Sequence, residues 1–217
     1  MQTRIKTLLT GKVDLGFAPG RNSSAIAKRP VEARIAVTRL GFVGDEQADP
    51  SVHGGVDKAI HHYPRDHYSD WQAELGDLPR LRQAGAFGEN VSTDGWTEAD
   101  VCLGDRYRMG SALVEIAQGR QPCWKQAHFL GMPSLVARMV ETGRTGWYYR
   151  VIEEGEVIVG DILVLKDRLH PDWPIARLFK LLIGGDHRGE EVALKELARR
   201  PVLAEEWRRR AAQLGGG

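Results

Sequence analysis

Residues 104–117, with the sequence GDRYRMGSALVEIA, predict two strands joined by a tight turn. The residues on either side of Gly110-Ser111 are mainly apolar, and this dipeptide is typical of a hairpin turn. Gly104-Asp105 directly precedes the first of these strands, and Gly160-Asp161 precedes another apolar segment. Because glycine at the start of a strand is typical of the corners of small closed barrels, the pattern predicts a mainly β fold built as a barrel.

The sequence on both sides of this hairpin predicts further strands and two helices. Strands are predicted at residues 5–13, 33–38, 87–91, 147–152, 157–159 and 162–165, from their alternating or continuous apolar character. The segment 147–152 is expected to pair with 157–159 across Glu154-Gly155. Apolar residues at helical spacing predict helices at residues 63–75 and 134–142, the second ending at Gly143 as its C-cap.

The character of the sequence changes after Pro171. Asp172 is expected to cap a helix over residues 175–182, and two more helices are predicted at 192–198 and 204–214. We therefore predict a β domain over residues 1–168, with its core at about 20–165, and a three-helix region over residues 169–217. The helical appendage is interpreted as a structural or oligomerising cap.

Composition limits the classes of function. The 217 residues carry a net charge of +1, so no overall field draws the chain to nucleic acid or to a membrane. No apolar run approaches the roughly 20 residues of a membrane helix, and residues 1–15 lack the apolar segment of a secretory signal. The two cysteines, Cys102 and Cys123, are too few for a disulfide framework, and we expect a cytoplasmic protein with free thiols.

The densest group of polar residues lies at 53–63, HGGVDKAIHHY. Gly54 and Gly55, beside His53 and Lys58, form a loop suited to binding an anion through backbone N–H groups and cations. A zinc site would draw on His53, His61, His62 and His67. Their spacing matches no zinc template, and a glycine turn with satisfied polar side chains is the structural alternative.

Cys123 is the sharpest single candidate for chemistry. Pro122 fixes the backbone before it, and Arg120 and Lys125 place cations near it in sequence. Nearby cations favour the thiolate, the form that binds metals or attacks carbon. An inert thiol is the alternative, and Cys102, in an apolar setting, is expected to be a small buried hydrophobic residue.

Other enzyme classes have weaker support. A cysteine hydrolase with His128 as the base is possible from the residue types, but nothing resembles the local signatures of cysteine proteases. The sequence contains no P-loop, no nucleophile elbow and no dinucleotide-binding glycine motif after a strand. Glu89 and Asn90 offer the acceptors and donors that read a heterocycle, although such a tripeptide as Gly88-Glu89-Asn90 is more often a turn.

Several segments together resemble the MOSC family (molybdenum cofactor sulfurase C-terminal domain), and within it the stand-alone YiiM-like group. The matching stretches are SAIAK at residues 24–28, LGFVGDEQ at 40–47, HGG at 53–55 through YPR at 63–65, FGENVS at 87–92, QPC at 121–123, and TG at 142–143 through GWYYRV at 146–151. They keep the family's order from about residue 20 to residue 165.

The resemblance implies a β-barrel and a pyranopterin molybdenum cofactor. Cys123 falls on the family's cysteine, which would be the protein ligand to molybdenum. The segment with His53, Gly54, Gly55 and Lys58 would line the cofactor pocket and suit its phosphate. Further candidates for the pocket are Ser24, Lys28, Glu89, Asn90 and Arg120. At the level of the family, pyridoxal phosphate binding is also implied.

The resemblance implies an oxidoreductase that reduces N-hydroxylated compounds, such as N-hydroxylated purine bases or hydroxylamines, to amines in detoxification. Because the sequence has no flavin or nicotinamide motif, the electrons are expected from a separate flavin-dependent reductase. Phe87, Trp147 and Tyr148 are candidates for stacking on such a base, with an aromatic core as the alternative. A carrier of the cofactor or of sulfur, without turnover, is the second hypothesis.

Overall fold

The computed structural model describes residues 1–18, 20, 22–49 and 53–216. Its strands are β1 (Gln2–Thr10), β2 (Asp14–Ala18), β3 (Asn22–Ser24), β4 (Arg29–Pro30), β5 (Ile35–Thr38), β6 (Gly41–Phe42), β7 (Ile60–Pro64), β8 (Val91–Thr93), β9 (Arg106–Met109), β10 (Ala112–Gly119), β11 (Trp147–Glu153), β12 (Gly155–Val157) and β13 (Ile162–Asp167). Its helices are α1 (His67–Leu75), α2 (Trp124–Leu130), α3 (Leu135–Thr142), α4 (Ile175–Phe179), α5 (Glu191–Ala198) and α6 (Glu205–Leu214).

Seven of the described strands close into a mixed barrel in the order β13-β9-β10-β11-β7-β8-β1. Closure comes from β1, whose first residues pair antiparallel with β13, Gln2 opposite Val164. The pairing of β7 with β8 is parallel, and the other neighbouring pairs of the barrel are antiparallel. The barrel with peripheral helices confirms the predicted fold class.

Every second side chain along the barrel strands points into the barrel and fills its interior. Tyr107 and Met109 on β9, and Trp147 and Tyr149 on β11, are fully buried, while the residues between them are partly exposed. Side chains that alternate in this way present one face of each strand to the core. The predicted hairpin is confirmed, since β9 pairs with β10 and Met109 lies opposite Ala112.

The predicted hairpin of residues 147–152 with 157–159 is wrong. After Glu153 the chain turns, but β12 pairs with β5, with Glu156 opposite Ala36. The two neighbours of β11 are instead β10 and β7. The local turn was predicted correctly, but the partner of β12 lies more than a hundred residues away in sequence.

Two helix predictions also need correction. The segment predicted as a helix from residue 63 begins as strand β7, which ends at Pro64, and α1 starts only at His67. Asp172 does not cap the next predicted helix, because α4 begins at Ile175 after Pro174 and then widens into a π-helical turn at Lys180–Gly184. Helix α2 was not predicted at all.

The C-terminal helices pack on the barrel. Leu178, Phe179, Leu197 and Trp207 belong to the same buried cluster as the barrel residues. The domain boundary at residues 168 and 169 stays a prediction. Among the helices that the structure describes, none has the length and apolar content needed to cross a membrane.

Candidate functional site

A cavity opens among the segments that join the barrel strands. The lining residues come from β3, β7, β11 and α2, from the segments that follow β3, β6 and β10, and from the loop that precedes β8. They are Ser24, Ala25, Ile26, Lys28, Asp45, Glu46, Gln47, Ala48, His53, Gly54, Lys58, Ala59, His61, Gly88, Asn90, Arg120, Cys123, Lys125 and Tyr148. Most of these residues are polar, and they come from parts of the chain that are far apart in sequence.

The structure brings eight of the ten site residues predicted from sequence to this cavity. They are Ser24, Lys28, His53, Gly54, Lys58, Asn90, Arg120 and Cys123. Gly55 and Glu89 are absent from the lining. A cysteine, several cations and an amide thus face one volume, as a site for a large anionic ligand requires.

Cys123 sits on the short segment between β10 and α2. Its side chain is partly exposed, and its backbone is extended, with φ −132° and ψ 160°. The backbone N–H of Cys123 donates to Oε1 of the fully buried Gln126 over 3.2 Å, and Nε2 of Gln126 donates to the carbonyl of Phe87 over 3.2 Å. Gln126 therefore ties the cysteine segment to the loop that precedes β8.

Arg120 carries its charge into the cavity from a buried position. Its backbone N–H donates to the carbonyl of Gly146 over 3.0 Å, and only 5% of the residue is exposed. Burial acts to lower the pKa of Arg120, but interactions with Tyr148 and with the thiol of Cys123 raise it above its usual range. The guanidinium therefore stays charged beside the cysteine. Its Nε makes no hydrogen bond to the described residues.

Cations outnumber carboxylates in the cavity lining, where Asp45 and Glu46 are the acidic residues. Lys28, Lys58 and Lys125 line it together with Arg120. Burial, and then the charges of Arg120, Lys125 and Lys58, lower the pKa of His53 to about 4. His53 is therefore neutral at physiological pH, and the positive charge comes from lysine and arginine side chains.

One wall of the cavity is a buried network around Asp45. Lys28 Nζ lies 2.5 Å from both carboxylate oxygens of Asp45. Asp45 also accepts hydrogen bonds from the backbone of Gly11 over 2.7 Å and from Asn90 Nδ2 over 2.9 Å. Burial lowers the pKa of Lys28, although the charge of Asp45 opposes this effect. Asn90 Oδ1 in turn accepts the backbone N–H of His61 over 3.0 Å.

Glu89 stabilises the loop behind the cavity and does not face it. Its fully buried carboxylate accepts hydrogen bonds from the hydroxyl of Tyr68 over 2.5 Å and from the backbone N–H groups of Gly85 and Phe87 over 2.7 and 3.1 Å. Because several donors already occupy the carboxylate, its contribution to the site is the shape of the segment that carries Gly88 and Asn90.

The loop that carries the two glycines is held to the barrel by an ion pair. Gly54 and Gly55 both have φ of 83°, a backbone conformation that favours glycine. Asp57 forms an ion pair with Arg150 of β11, with Oδ1 2.8 Å from Nη2. Arg150 also contacts the buried carboxylate of Glu115 at 3.2 Å. This chain of charges fixes the turn that places His53, Gly54 and Lys58 at the cavity.

Sequence reasoning named Tyr148 only for stacking and His61 only for the zinc alternative, and it gave no role to Asp45, Glu46 and Gln47. Asp45, Glu46, Gln47, His61 and Tyr148 line the cavity. The first three lie in the quoted stretch 40–47, so the resemblance pointed to the segment but not to their roles. Burial, and then Arg120, lower the pKa of the fully buried His61, which is therefore a neutral imidazole.

Of the three aromatic candidates, only Tyr148 reaches the cavity. Phe87 is fully buried and stacks on Tyr63 at 4.1 Å, and Trp147 is fully buried beside His62 at 4.4 Å. The stacking role predicted for Phe87 and Trp147 is therefore wrong, and the core alternative holds for both. Tyr148 is partly exposed, with its ring centroid 5.1 Å from that of His61.

The remaining histidines do not gather around the cysteine. His62 lies in the barrel interior between Thr93 and Tyr149, and His67 contacts Glu98 at 2.7 Å. His128 contacts the carbonyl of Phe17 at 3.2 Å and is absent from the cavity lining. Within the described residues, no group of three or more His, Cys, Asp or Glu side chains is arranged to hold a metal ion.

Cys102 is buried and does not line the cavity. Its thiol donates to the carbonyl of Pro171 over 3.6 Å, and burial raises its pKa. A thiol with a raised pKa is a poor nucleophile and a poor metal ligand at neutral pH. Cys123 is therefore the cysteine available for chemistry at the cavity.

Known proteins resemble this chain over most of its length. Protein YiiM of Escherichia coli (strain K12) is 44% identical over 160 residues, which cover 74% of this chain and 70% of that protein. A protein named Reductase from Gibberella moniliformis is 35% identical over 189 residues, which cover 87% of this chain but only 33% of that protein. The chain therefore corresponds to about a third of that reductase.

The fold has close structural relatives. The crystal structure of YiiM from Geobacillus stearothermophilus has a TM-score of 0.81 at 35% identity and covers 98% of both chains. The sequence model of the MOSC domain matches residues 49–164, which include the loop of His53, the loop of Asn90 and Cys123. The chain belongs to the MOSC family.

Proposed function

We propose that the chain binds the molybdenum cofactor in this cavity through Cys123 and reduces N-hydroxylated compounds to amines. The MOSC domain is associated with the molybdenum cofactor, and a relative named Reductase supports an oxidoreductase. The reduction of N-hydroxylated purine bases or hydroxylamines goes further than these comparisons and rests on the family resemblance. Pyridoxal phosphate binding and a cytoplasmic location stay predictions.

The observation that carries the proposal is the pairing of Cys123 with Arg120 at the cavity. The cysteine is partly exposed, interacts with the guanidinium and lines the same volume. A thiolate in an electropositive setting is a suitable soft ligand for a metal. The unpaired Nε of Arg120 is a buried donor that an acceptor on a ligand would satisfy, so the residues fit a bound anionic group.

The remaining residues fit the other parts of the cofactor. Lys58, Lys125 and Arg120 offer positive charge to a phosphate, and the backbone at Gly54 allows a close approach. Tyr148 and the neutral His61 offer hydrogen bonds and ring faces to a heterocycle. Cys123 would hold molybdenum itself, and the metal then needs one protein ligand rather than a cluster.

When bound, the cofactor would supply the chemistry that removes the oxygen of an N–O bond. In the overall reaction, R–NH–OH takes up two electrons and two protons and gives R–NH2 and water. The chain binds and orients the substrate beside Cys123. Arg120 and Lys125 keep the local potential positive. The electrons are proposed to come from a separate flavin-dependent reductase, because the sequence has no dinucleotide-binding glycine motif of its own.

The first test is the molybdenum content of the purified protein from a host that makes the cofactor. Near-stoichiometric metal is expected in the wild type and in Cys102→Ala, with loss of the metal in Cys123→Ala. Cys102 is the matched control, since its thiol is absent from the cavity lining. Absence of molybdenum in the wild type, or its retention in Cys123→Ala, would overturn the proposed ligand.

A turnover assay then separates the enzyme from the carrier hypothesis. Cofactor-loaded protein, with an artificial reductant and an N-hydroxylated purine, is expected to form the amine in a cysteine-dependent reaction. Molybdenum bound at Cys123 without turnover of any N-hydroxylated substrate would favour a cofactor or sulfur carrier. Formation of the amine without molybdenum would overturn the role proposed for the cofactor.

A further inference from the structure

Lys58 contacts a carboxylate that is not part of the cavity. Its Nζ lies 2.5 Å from Oε2 of Glu206, which belongs to helix α6 in the C-terminal region. Lys58 lines the cavity and its side chain is 16% exposed, whereas the Glu206 side chain is 51% exposed and is absent from the lining. The ammonium therefore lies between the cavity on one side and a carboxylate at the surface on the other.

Packing sets the position of Glu206. The next residue, Trp207, is 1% exposed, and Ala211 one turn later is fully buried. The backbone N–H of Ala204 donates to the carbonyl of Ala117 on β10 over 3.0 Å. A Cβ added at Gly119 would lie 2.9 Å from the ring of Trp207, so α6 is docked closely against the end of β10 that leads to Arg120.

The other cations of the cavity are held differently. Lys28 forms its ion pair with Asp45, which itself lines the cavity. Arg120 interacts with Tyr148 and Cys123, and Lys125 Nζ donates to the carbonyl of Ser23 over 2.7 Å. Lys58 differs from them because the carboxylate that offsets its charge, Glu206, lies outside the cavity. Glu206 belongs to α6, which the match to the MOSC domain does not include.

We propose that Glu206 tunes the affinity of the cavity for phosphate groups by competing for the ammonium of Lys58. In the free protein the carboxylate offsets the charge of Lys58. A phosphate that enters the cavity draws the ammonium away from Glu206, and the cost of this exchange lowers the affinity. The inference rests on the proposed function, in which the cavity binds the phosphate of a ligand.

Calorimetric titration of the full chain with inorganic pyrophosphate tests the proposal. Glu206→Gln removes the competing charge and is expected to lower the Kd by roughly two- to fivefold, the range of partly exposed ion pairs. Glu205→Gln is the matched control. It makes the same change of charge on the same helix, but Glu205 pairs with Arg209 and its side chain is 71% exposed. We expect its Kd to equal that of the wild type.

A double-mutant cycle shows whether Glu206 acts through Lys58. Lys58→Met is expected to weaken pyrophosphate binding, and Glu206→Gln is expected to have no further effect in the Lys58→Met background. A purely structural role of Glu206 predicts weaker binding in Glu206→Gln and the same loss in both backgrounds.

The outcomes separate this inference from the proposed function. Pyrophosphate binding that Arg120→Gln and Lys58→Met both weaken, with equal Kd values for Glu206→Gln and Glu205→Gln, would overturn the competition and leave the anion site intact. Weaker binding in Glu206→Gln would also overturn it. Absence of pyrophosphate binding in the wild type would overturn both the competition and the proposed phosphate site, while the molybdenum assay on Cys123 would still stand by itself.

Discussion

At the scale of single residues, Cys123 is held in place by a side chain that does not line the cavity. Gln126 is fully buried and bonds both to the backbone of Cys123 and to the carbonyl of Phe87. An amide suits this position because it is a donor and an acceptor at once. A shift of this side chain would move the thiol relative to Arg120.

Gln126→Met is expected to lower the free energy of unfolding by about 1–3 kcal/mol, because it leaves the N–H of Cys123 and the carbonyl of Phe87 without partners. Urea denaturation followed by fluorescence measures this change. Gln121→Met is the control, since Gln121 is exposed and only two residues before Cys123. Equal stability of Gln126→Met and Gln121→Met would contradict the role assigned to Gln126.

The sequence predicts single site residues best where the members of the site are close to one another along the chain. Arg120 and Lys125 flank Cys123 within a few residues, so the character of the site could be inferred before the fold. Asp45 and His61 could not be assigned, since each becomes part of the cavity only through the network that joins Lys28, Asp45 and Asn90. Glu89 was predicted at the cavity as an acceptor for a heterocycle, but its carboxylate accepts hydrogen bonds from the backbone of Gly85 and Phe87.

At the scale of elements, the buried pair of Lys28 and Asp45 joins the segment after β3 to the segment after β6. The side chains are 8% and 3% exposed. A buried charge that loses its partner is strongly destabilising, whereas an exposed pair contributes little. This pair therefore stabilises the contact between the two segments that form the cavity wall.

Asp45→Asn is expected to lower the free energy of unfolding by about 3–5 kcal/mol, because Lys28 then lies buried without a counter-charge. Lys12→Met, which breaks the exposed pair with Glu46, is the control and is expected to cost less than about 1 kcal/mol. Chemical denaturation measures both. Additive losses in a Lys28→Met and Asp45→Asn double variant would show that the two residues do not act as a pair.

The predictions of strands and helices failed where the local sequence pattern is compatible with two structures. The turn after Glu153 is compatible with a hairpin, but β11 already has β10 and β7 as neighbours in the closed barrel, so β12 pairs with β5. The apolar residues from Tyr63 onward fit a helix, yet Tyr63 and Pro64 complete the parallel ladder with β8. Both errors come from pairing between distant parts of the chain.

At the scale of the whole molecule, the barrel interior contains a buried histidine that resists protonation. His62 is fully buried, its ring nitrogens contact Tyr149 and Thr93, and burial lowers its pKa from 6.5 to about 3. Between these values the unfolded chain binds a proton that the folded protein does not. The stability of the fold therefore falls as the pH decreases from 6.5 towards 3.

For this one group the free energy of unfolding is expected to fall by about 1.4 kcal/mol per pH unit within that window. His62→Gln retains hydrogen-bonding groups but cannot be protonated there, so its stability is expected to depend less on pH than that of the wild type. Urea denaturation at several pH values between 4 and 6.5 measures both slopes. Parallel curves for the two proteins would contradict this origin of the acid sensitivity.

The closure of the barrel by β1 and β13 has a consequence for synthesis on the ribosome. Cys123 leaves the ribosome 44 residues before Asp167, the end of β13 (167 − 123 = 44). At 5–20 residues per second this interval lasts roughly 2–9 s. During that time β1 lacks its partner β13, so the barrel is still open, and Glu206 is translated later still. The cavity around Cys123 can therefore form only after the strand that closes the barrel has been synthesised.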